Sequence, residues 1–434
     1  MKTLTTSLLA FLLLLSASRL FAITLPALHE RKSGTESSEF TRVKQNYEKF
    51  SAEYRKDTSK MQPLVKIAQI FLTEARITGD HHYYYPAAEE LLNEVLAKNG
   101  NDFEALVTKG SILMSYHKFS EALEIATKAS KIGGGSAYTY GLLVDANIEL
   151  GNYEEAVKNS DKMVSLRPDL RSYSRVAYLR ELYGDRNGAK QAMKMAADAG
   201  AFGQEDRAWC LKELANLYLG EGNLDTAEYI FKGILEERPS YAFAYSGLAQ
   251  VQIARKQYSD AIATLVKATQ LSPEHIFIEQ LADLYLTFGD TLSAATMREK
   301  VFASFAQHEK DGWMIDKEYA AFCLGQSIKL DDALIRAERE YKVRPDNIEA
   351  LDVYSWALYK NGKAKEAKQF SGKALRLGTD NGMLFYHAAK IAQAVGEKQQ
   401  AISYFEKAIL RNPYIPVLMR EDAMKTLNTL KKDS

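Results

Sequence analysis

The sequence predicts an all-α chain: one open-ended superhelix built from repeated helix pairs. Three observations carry that expectation. An alanine recurs at Ala122, Ala156, Ala189, Ala227, Ala261, Ala294, Ala333, Ala367 and Ala401, with gaps of 34, 33, 38, 34, 33, 39, 34 and 34 residues. Between these markers the apolar side chains fall three and four apart, as in Leu211, Leu214, Leu217, Tyr218 and then Tyr229, Ile230, Ile234. That is the period of a helix buried along one side. Only 9 prolines occur in 434 residues, and five of them (Pro168, Pro239, Pro273, Pro345 and Pro413) stand twelve residues after a marker alanine, where they end helices.

Taken in order, residues 1–22 read as an address. Lys2 precedes the apolar run Leu8–Leu15, and the small residues Ser16, Ala17, Ser18 and Ala22 follow, the layout of a secretory signal peptide. Cleavage is expected after Ala22, with a site near Ser18 as the alternative. The run is too short for a membrane span of about 20 residues, and no later stretch reaches that length. The mature chain is therefore expected without a transmembrane segment, in the periplasm or secreted space. Only two cysteines and no Asn-x-Ser/Thr site occur, which favours a bacterial envelope. Residues 23–60 are polar, with a linker at Ser33–Ser38 and a surface helix over Glu39–Lys56 that spaces Phe40, Val43, Tyr47, Phe50 and Tyr54 helically.

Residues 61–415 carry the repeats, with units starting near 69, 103, 137, 170, 208, 242, 275, 314, 348 and 382. Twelve residues before most markers stands a small residue, such as Gly110, Ala177, Ala215 or Ala249, where two helix axes must approach closely. Five residues before many of them stands a glycine, such as Gly151, Gly184, Gly222 or Gly396, where one helix ends in a left-handed turn. The longer gaps place insertions near 203–207 and 309–313 as candidate bends. Residues 416–434 close the array as an amphipathic capping helix.

Leu248-Ala249…Tyr258…Ala261…Ala268…Pro273, Ala215…Tyr218…Gly222…Ala227…Phe231…Pro239 and Ala389…Gly396…Ala401…Phe405…Ala408…Pro413 are similar to the tetratricopeptide repeat (TPR) family, whose unit has 34 residues. The resemblance covers about four-fifths of the chain. Two units depart from it: Ser355 replaces the usual small Ala or Gly in a unit without a terminal proline, and Glu340 replaces a late alanine. The resemblance implies a right-handed α–α superhelix (a TPR solenoid) of about nine to ten helix–turn–helix repeats. It also implies a concave groove that receives a protein or peptide partner.

Composition and motifs narrow the chemistry. Lys+Arg and Asp+Glu both number 56, which excludes a generic polyanion-binding surface and so a nucleic-acid partner. Cys210 and Cys323 lie three repeats apart; if repeats touch only their neighbours, both stay unpaired and buried. His29-Glu30 and His308-Glu309 lack the second histidine of a zinc-peptidase helix, and Gly133–Ser136 lacks the Lys-Ser/Thr ending of a phosphate loop. The string His81–Pro86 (HHYYYP) reads either as a metal contact or, preferably, as an aromatic turn with Pro86 opening the next helix. About 40 residues before the repeats and 20 after them leave too little chain for a catalytic core, so neither enzyme activity nor a cofactor or metal is expected.

The expected site is then the concave wall. Its candidates are Tyr138, Tyr178, Trp209, Lys212, Asn216, Phe243, Phe322, Trp356, Tyr359, Tyr386 and Lys390, with Asp283, Glu318 and Asp352 between them. Aromatic rings with scattered charge suit partner recognition, although about half such rings are expected to pack between neighbouring helices. A clamp for acidic chaperone C-termini is not expected, because Lys212, Asn216, Gly247, Ile276 and Gln280 match only two of its five positions. The function expected is a non-catalytic protein-interaction scaffold. The alternative is a glycan-binding accessory in envelope polysaccharide assembly or export.

Overall fold

The computed structural model describes residues 23–34, 37–133, 135–410 and 415–432. The expected signal peptide and the helix-ending Pro413 lie outside the described residues. Among those described there are 22 α-helices and no strand. Helix α1 (Ser38–Lys56) precedes ten antiparallel pairs. These are α2 (Gln62–Thr78) with α3 (His81–Lys98), α4 (Phe103–Ser115) with α5 (Phe119–Ile132), α6 (Ala137–Leu150) with α7 (Tyr153–Leu166), and α8 (Leu170–Leu182) with α9 (Arg186–Ala199). There follow α10 (Glu205–Gly220) with α11 (Leu224–Glu237), α12 (Ala242–Ala254) with α13 (Tyr258–Leu271), and α14 (His275–Thr287) with α15 (Thr291–Lys310). The last pairs are α16 (Asp316–Gln326) with α17 (Leu330–Val343), α18 (Ile348–Lys360) with α19 (Ala364–Ala374), and α20 (Gly382–Ala394) with α21 (Lys398–Leu410); α22 (Val417–Lys432) closes the array.

Close approach of helix axes explains the markers. All nine marker alanines are completely buried. At Gly247 a Cβ would overlap the Phe231 ring, so the absent side chain is what lets α12 lie against α11. In the tight turns Gly151, Gly184 and Gly222 adopt positive φ. Where the glycine is missing, His117 (φ 58°) and Lys256 (φ 62°) take the same left-handed conformation.

The first pair differs from expectation. Its first helix starts at Gln62, and α3 runs through His81–Pro86, so Pro86 lies inside the helix instead of opening it. Burial of Tyr84 against Phe71 and of Tyr85 against Tyr116 and Trp313 outweighs the amide that proline cannot donate. Residues 23–32 are an extended strap across this first pair. Tyr47 and Tyr83 donate hydroxyl hydrogen bonds to the carbonyls of Pro26 and Ala27, both at 2.7 Å. The buried Arg31 guanidinium donates to Glu74 at 2.8 and 2.6 Å and to Glu39 at 2.9 Å. Two carboxylates on one guanidinium offset the cost of removing its charge from water.

Repeats do not touch only their neighbours. Successive turns of the superhelix meet along a seam, joining residues about 195 apart, close to six units. Arg344, the largest fully buried side chain, reaches back to Glu149 (2.6 Å to Oε2, 3.1 Å to the carbonyl) and stacks over the Phe119 ring. The unusual Glu340 is its second partner. Asn347 donates to the carbonyls of Ile148 and Glu149 at 3.3 and 3.0 Å, and the Ile348 amide donates to the Tyr153 hydroxyl at 3.0 Å.

The irregularities of the repeat fall on this seam. The 309–313 insertion lengthens α15 to 20 residues and delivers Trp313 among His308, Tyr116, Tyr85, His81 and His117, with ring centroids 4.6–6.0 Å away. Met314 then donates to the Tyr116 carbonyl at 3.0 Å. The insertion near 203 presents the Gly203 carbonyl to Arg238 at 2.6 Å, and Arg238 also binds Glu39 of α1 at 3.1 Å. The proline-free end of the unit at 348 sets Asp380 against Arg186 at 2.5 Å.

Candidate functional site

First helices contribute to the concave wall a register of two positions one turn apart, three residues before the small crossing residue and one after it, and Tyr138, Trp209 and Phe243 stand a further turn back, six residues before it. In that register stand Lys212/Asn216, Glu279/Asp283, Glu318/Phe322, Asp352/Trp356 and Tyr386/Lys390. A spacing of four puts both members on one helical face.

The structure divides the candidate residues along the chain. Toward the N-terminus the wall is open. Tyr138 is 46% exposed beneath the Arg171 guanidinium (4.7 Å), Tyr178 is 37% exposed and Trp209 is 38% exposed. The Lys212 ammonium lies 5.7 Å from both the Trp209 and Phe243 rings, and Lys212 and Asn216 both bind Glu213. Toward the C-terminus the rings pack against one another. Phe322, Trp356 and Tyr386 are buried. Trp356 is sandwiched between Tyr359 and His387, with centroids 4.9 and 4.2 Å away. Tyr386 and Lys390 both donate to Asp422 of the last helix at 2.9 Å.

Beside the open part, Tyr178, Glu181, Arg186, Glu349, Thr379 and Asp380 line a crevice of ≈ 150 Å³ between two turns. Burial and the nearby Glu213 push the Glu181 carboxyl up to about 7 even though its atoms reach solvent. Burial, reinforced by Glu349, raises the Tyr178 phenol well above its ordinary value. Next along the wall, Lys317 binds Glu349 at 2.7 Å. Lys317 holds the Glu349 carboxyl below the usual range, and at Glu318 the nearby His117 and Lys317 together overcome a burial effect that alone would raise it.

Glu279 and Asp283 differ from the other carboxylates of the wall. Burial, then Asp283 and Glu318, push Glu279 up to about 8; burial pushes Asp283 up to about 6 against a hydrogen bond from Gln326. Sequence reasoning weighted aromatic rings and so passed over Glu181, Glu279, Lys317, Gln326 and Glu349. Glu279 shares the register of Lys212, Glu318 and Asp352, and that register was the signal that could have found it.

The histidine string makes side-chain contacts across the seam: His81 lies 3.0 Å from Glu274, and His82 contacts Asp311. Among the described residues no cluster of three or more His, Cys, Asp or Glu side chains is arranged to hold a metal ion. Cys210 and Cys323 are free and buried.

Family models for the tetratricopeptide repeat match residues 218–276 in one case and residues 137–170 and 384–414 in another. Those segments repeat the helix pairs described above. The chain is a tetratricopeptide-repeat protein. TPR arrays serve as protein-interaction scaffolds and bind protein or peptide partners. No curated protein matches the chain. Solved structures resemble it at low identity. A human IFIT1 dimer with PPP-AAAA is 14% identical with a TM-score of 0.45, covering 86% of this chain and 88% of that one. Yeast Tom70 is 14% identical with a TM-score of 0.36, covering 91% and 94%. YrrB, a TPR protein with an unusual peptide-binding site, is 18% identical with a TM-score of 0.30, covering 43% and 94%. No helix among the described residues of this TPR chain is long and apolar enough to cross a membrane.

Proposed function

We propose that this TPR protein is a non-catalytic scaffold of the cell envelope or secreted space that receives a partner segment along its concave wall. The observation that carries the reading is the set of exposed rings at Tyr138, Tyr178 and Trp209, of which Tyr178 lines the crevice. Large rings left in water on a wall fixed by a seam provide contact area at low entropy cost. The envelope location rests on the signal-like pattern of residues 1–22. A glycan partner has only the same rings in its favour, whereas a peptide also meets the polar and charged groups between them.

Photo-crosslinking residues placed singly at Tyr178 and Trp209, and at the outward Tyr229 (79% exposed) as control, test the groove. Partner adducts from the first two and none from Tyr229 are expected; adducts from Tyr229 alone would move the binding surface to the other face. Export is tested by N-terminal sequencing of the protein from fractionated cells. An N-terminus at Ile23 is expected, and an intact Met1 in the cytoplasmic fraction would overturn it.

A further inference from the structure

The wall's register holds five carboxylates (Asp145, Glu279, Asp283, Glu318 and Asp352) and two ammonium groups (Lys212 and Lys390). Most are matched inside the structure. Asp145 binds Arg175 at 2.8 Å, Asp352 binds His387 at 2.8 Å, Lys390 binds Asp422, Lys212 binds Glu213, and Glu318 lies 3.6 Å from both His117 and Lys317. Glu279 and Asp283, one turn apart on α14, are the exception. Among the described residues, Glu279 meets the His275 imidazole at 3.8 Å, and burial holds that group below its ordinary value, against the charged form. The Asp283 carboxylate accepts a hydrogen bond from Gln326 Nε2 at 2.6 Å and, among the described residues, makes no ion pair.

A second observation points to a ligand at the same place. Gln326 is only 8% exposed, and its Oε1 has no hydrogen-bond partner. The amide is anchored by its nitrogen on Asp283, which holds the side chain against the carboxylate pair. Buried acceptors are ordinarily satisfied. Once ionised, the two carboxylates and the amide oxygen make a set of acceptors with no donor among them, which is what an ammonium or guanidinium requires.

We propose that Glu279, Asp283 and the Gln326 amide oxygen form a receiving site for a lysine or arginine side chain of an extended partner segment lying along the concave wall. The proposal rests on the groove reading above and gives the partner its chemistry. Charge complementarity commits the occupant to a basic peptide. The groups facing the site are His275 on its own helix, Glu318 and Lys317 from α16, and His117, which pairs with Glu318. None of these cations is free to neutralise Glu279. A bound cation restores ionisation to carboxyls held up to about 8 and about 6, so binding near pH 7 releases protons and tightens as pH rises from 6 to 8.

The test uses the full chain and three fluorescein-labelled twelve-residue peptides that alternate serine with lysine, glutamine or glutamate. The lysine peptide is expected to bind, measured by fluorescence anisotropy, and the other two are not. Glu279→Gln/Asp283→Asn should weaken it by about tenfold or more, the scale seen when a desolvated charge loses its partners. The outward pair Glu154→Gln/Glu155→Gln should leave affinity unchanged. Calorimetry in two buffers of different ionisation enthalpy should show proton release by the native chain and none by the inner variant.

Equal affinity of the inner and outer variants, binding of the glutamine peptide as tight as that of the lysine peptide, or no binding of the lysine peptide would each overturn the proposal. So would displacement by spermine of a signal that the inner variant retains. Adducts at Tyr178 together with any of these results would leave the groove standing and remove only the charge assignment.

Discussion

Replacing Gly151 by alanine separates the seam from the ordinary needs of a helix turn. Gly151 (φ 82°) and Gly222 (φ 77°) occupy the same turn position in two units, and an alanine at either takes a left-handed conformation costing about 1 kcal/mol. Around Gly222 nothing lies within 4 Å of the added Cβ. At Gly151 the Cβ would lie 2.6 Å from the Asn347 nitrogen and closer still to the Asp346 carbonyl, so backbone must move. That displacement takes with it the two Asn347 hydrogen bonds and the Ile348 bond to Tyr153. At about 1 kcal/mol each, the extra loss for Gly151→Ala is about 2–4 kcal/mol beyond that for Gly222→Ala. Urea denaturation of both variants measures the difference, and small-angle scattering should show a larger radius of gyration for Gly151→Ala alone. Equal denaturation midpoints and equal radii would refute the claim that turn-to-turn contacts hold this array.

Four other outcomes follow from named groups. Burial, with His275 next, holds the His308 imidazole down at about 4, so the unfolded chain binds its proton near 6.5 and the folded chain does not. Stability is therefore full above pH 6.5 and falls toward pH 4, by roughly 3 kcal/mol from this group; pH-dependent denaturation of His308→Gln should lack that component. His117 works in the opposite sense: Glu318 raises it against burial, so its contribution is present below the unfolded value and fades as pH climbs through the folded one. Lys256→Gly relieves a left-handed residue that makes no ion pair among the described residues, and a gain of about 0.5–1 kcal/mol in urea is expected. Burial pushes the Cys210 and Cys323 thiols up to about 12 and 11, so a thiol reagent at pH 8 should label neither until denaturant is added.

Local features of the fold were legible in the sequence because each unit repeats the same steric demands. The marker alanine states them in nine units, glycine in most of the turns and proline at five of the ends, so noise in one unit is corrected by the next. The seam was not legible. Arg344, Trp313 and Asp380 gain their partners only when six intervening units have added their small rotations, and no local period encodes that sum. What the sequence did contain was the signature of the exceptions: the two insertions, the missing proline and Glu340 each broke the pattern where one turn meets another. At the wall, ring positions were readable from register. Whether a ring stands open, like Trp209, or is packed, like Trp356, depended on the neighbouring first helix. The Glu279–Asp283 pair was hidden by the overall charge balance, which averages a crowded interior with a solvated exterior.

The touching turns also set the mechanical character of the molecule. An open array of stacked helix pairs yields gradually under tension, since every interface gives a little. Coils already in contact and tied by Arg344, Asn347 and Trp313 resist extension until those ties part, and only then lengthen freely. Pulled from its ends, this protein should therefore behave as a latched spring, stiff up to a yield force and compliant beyond it.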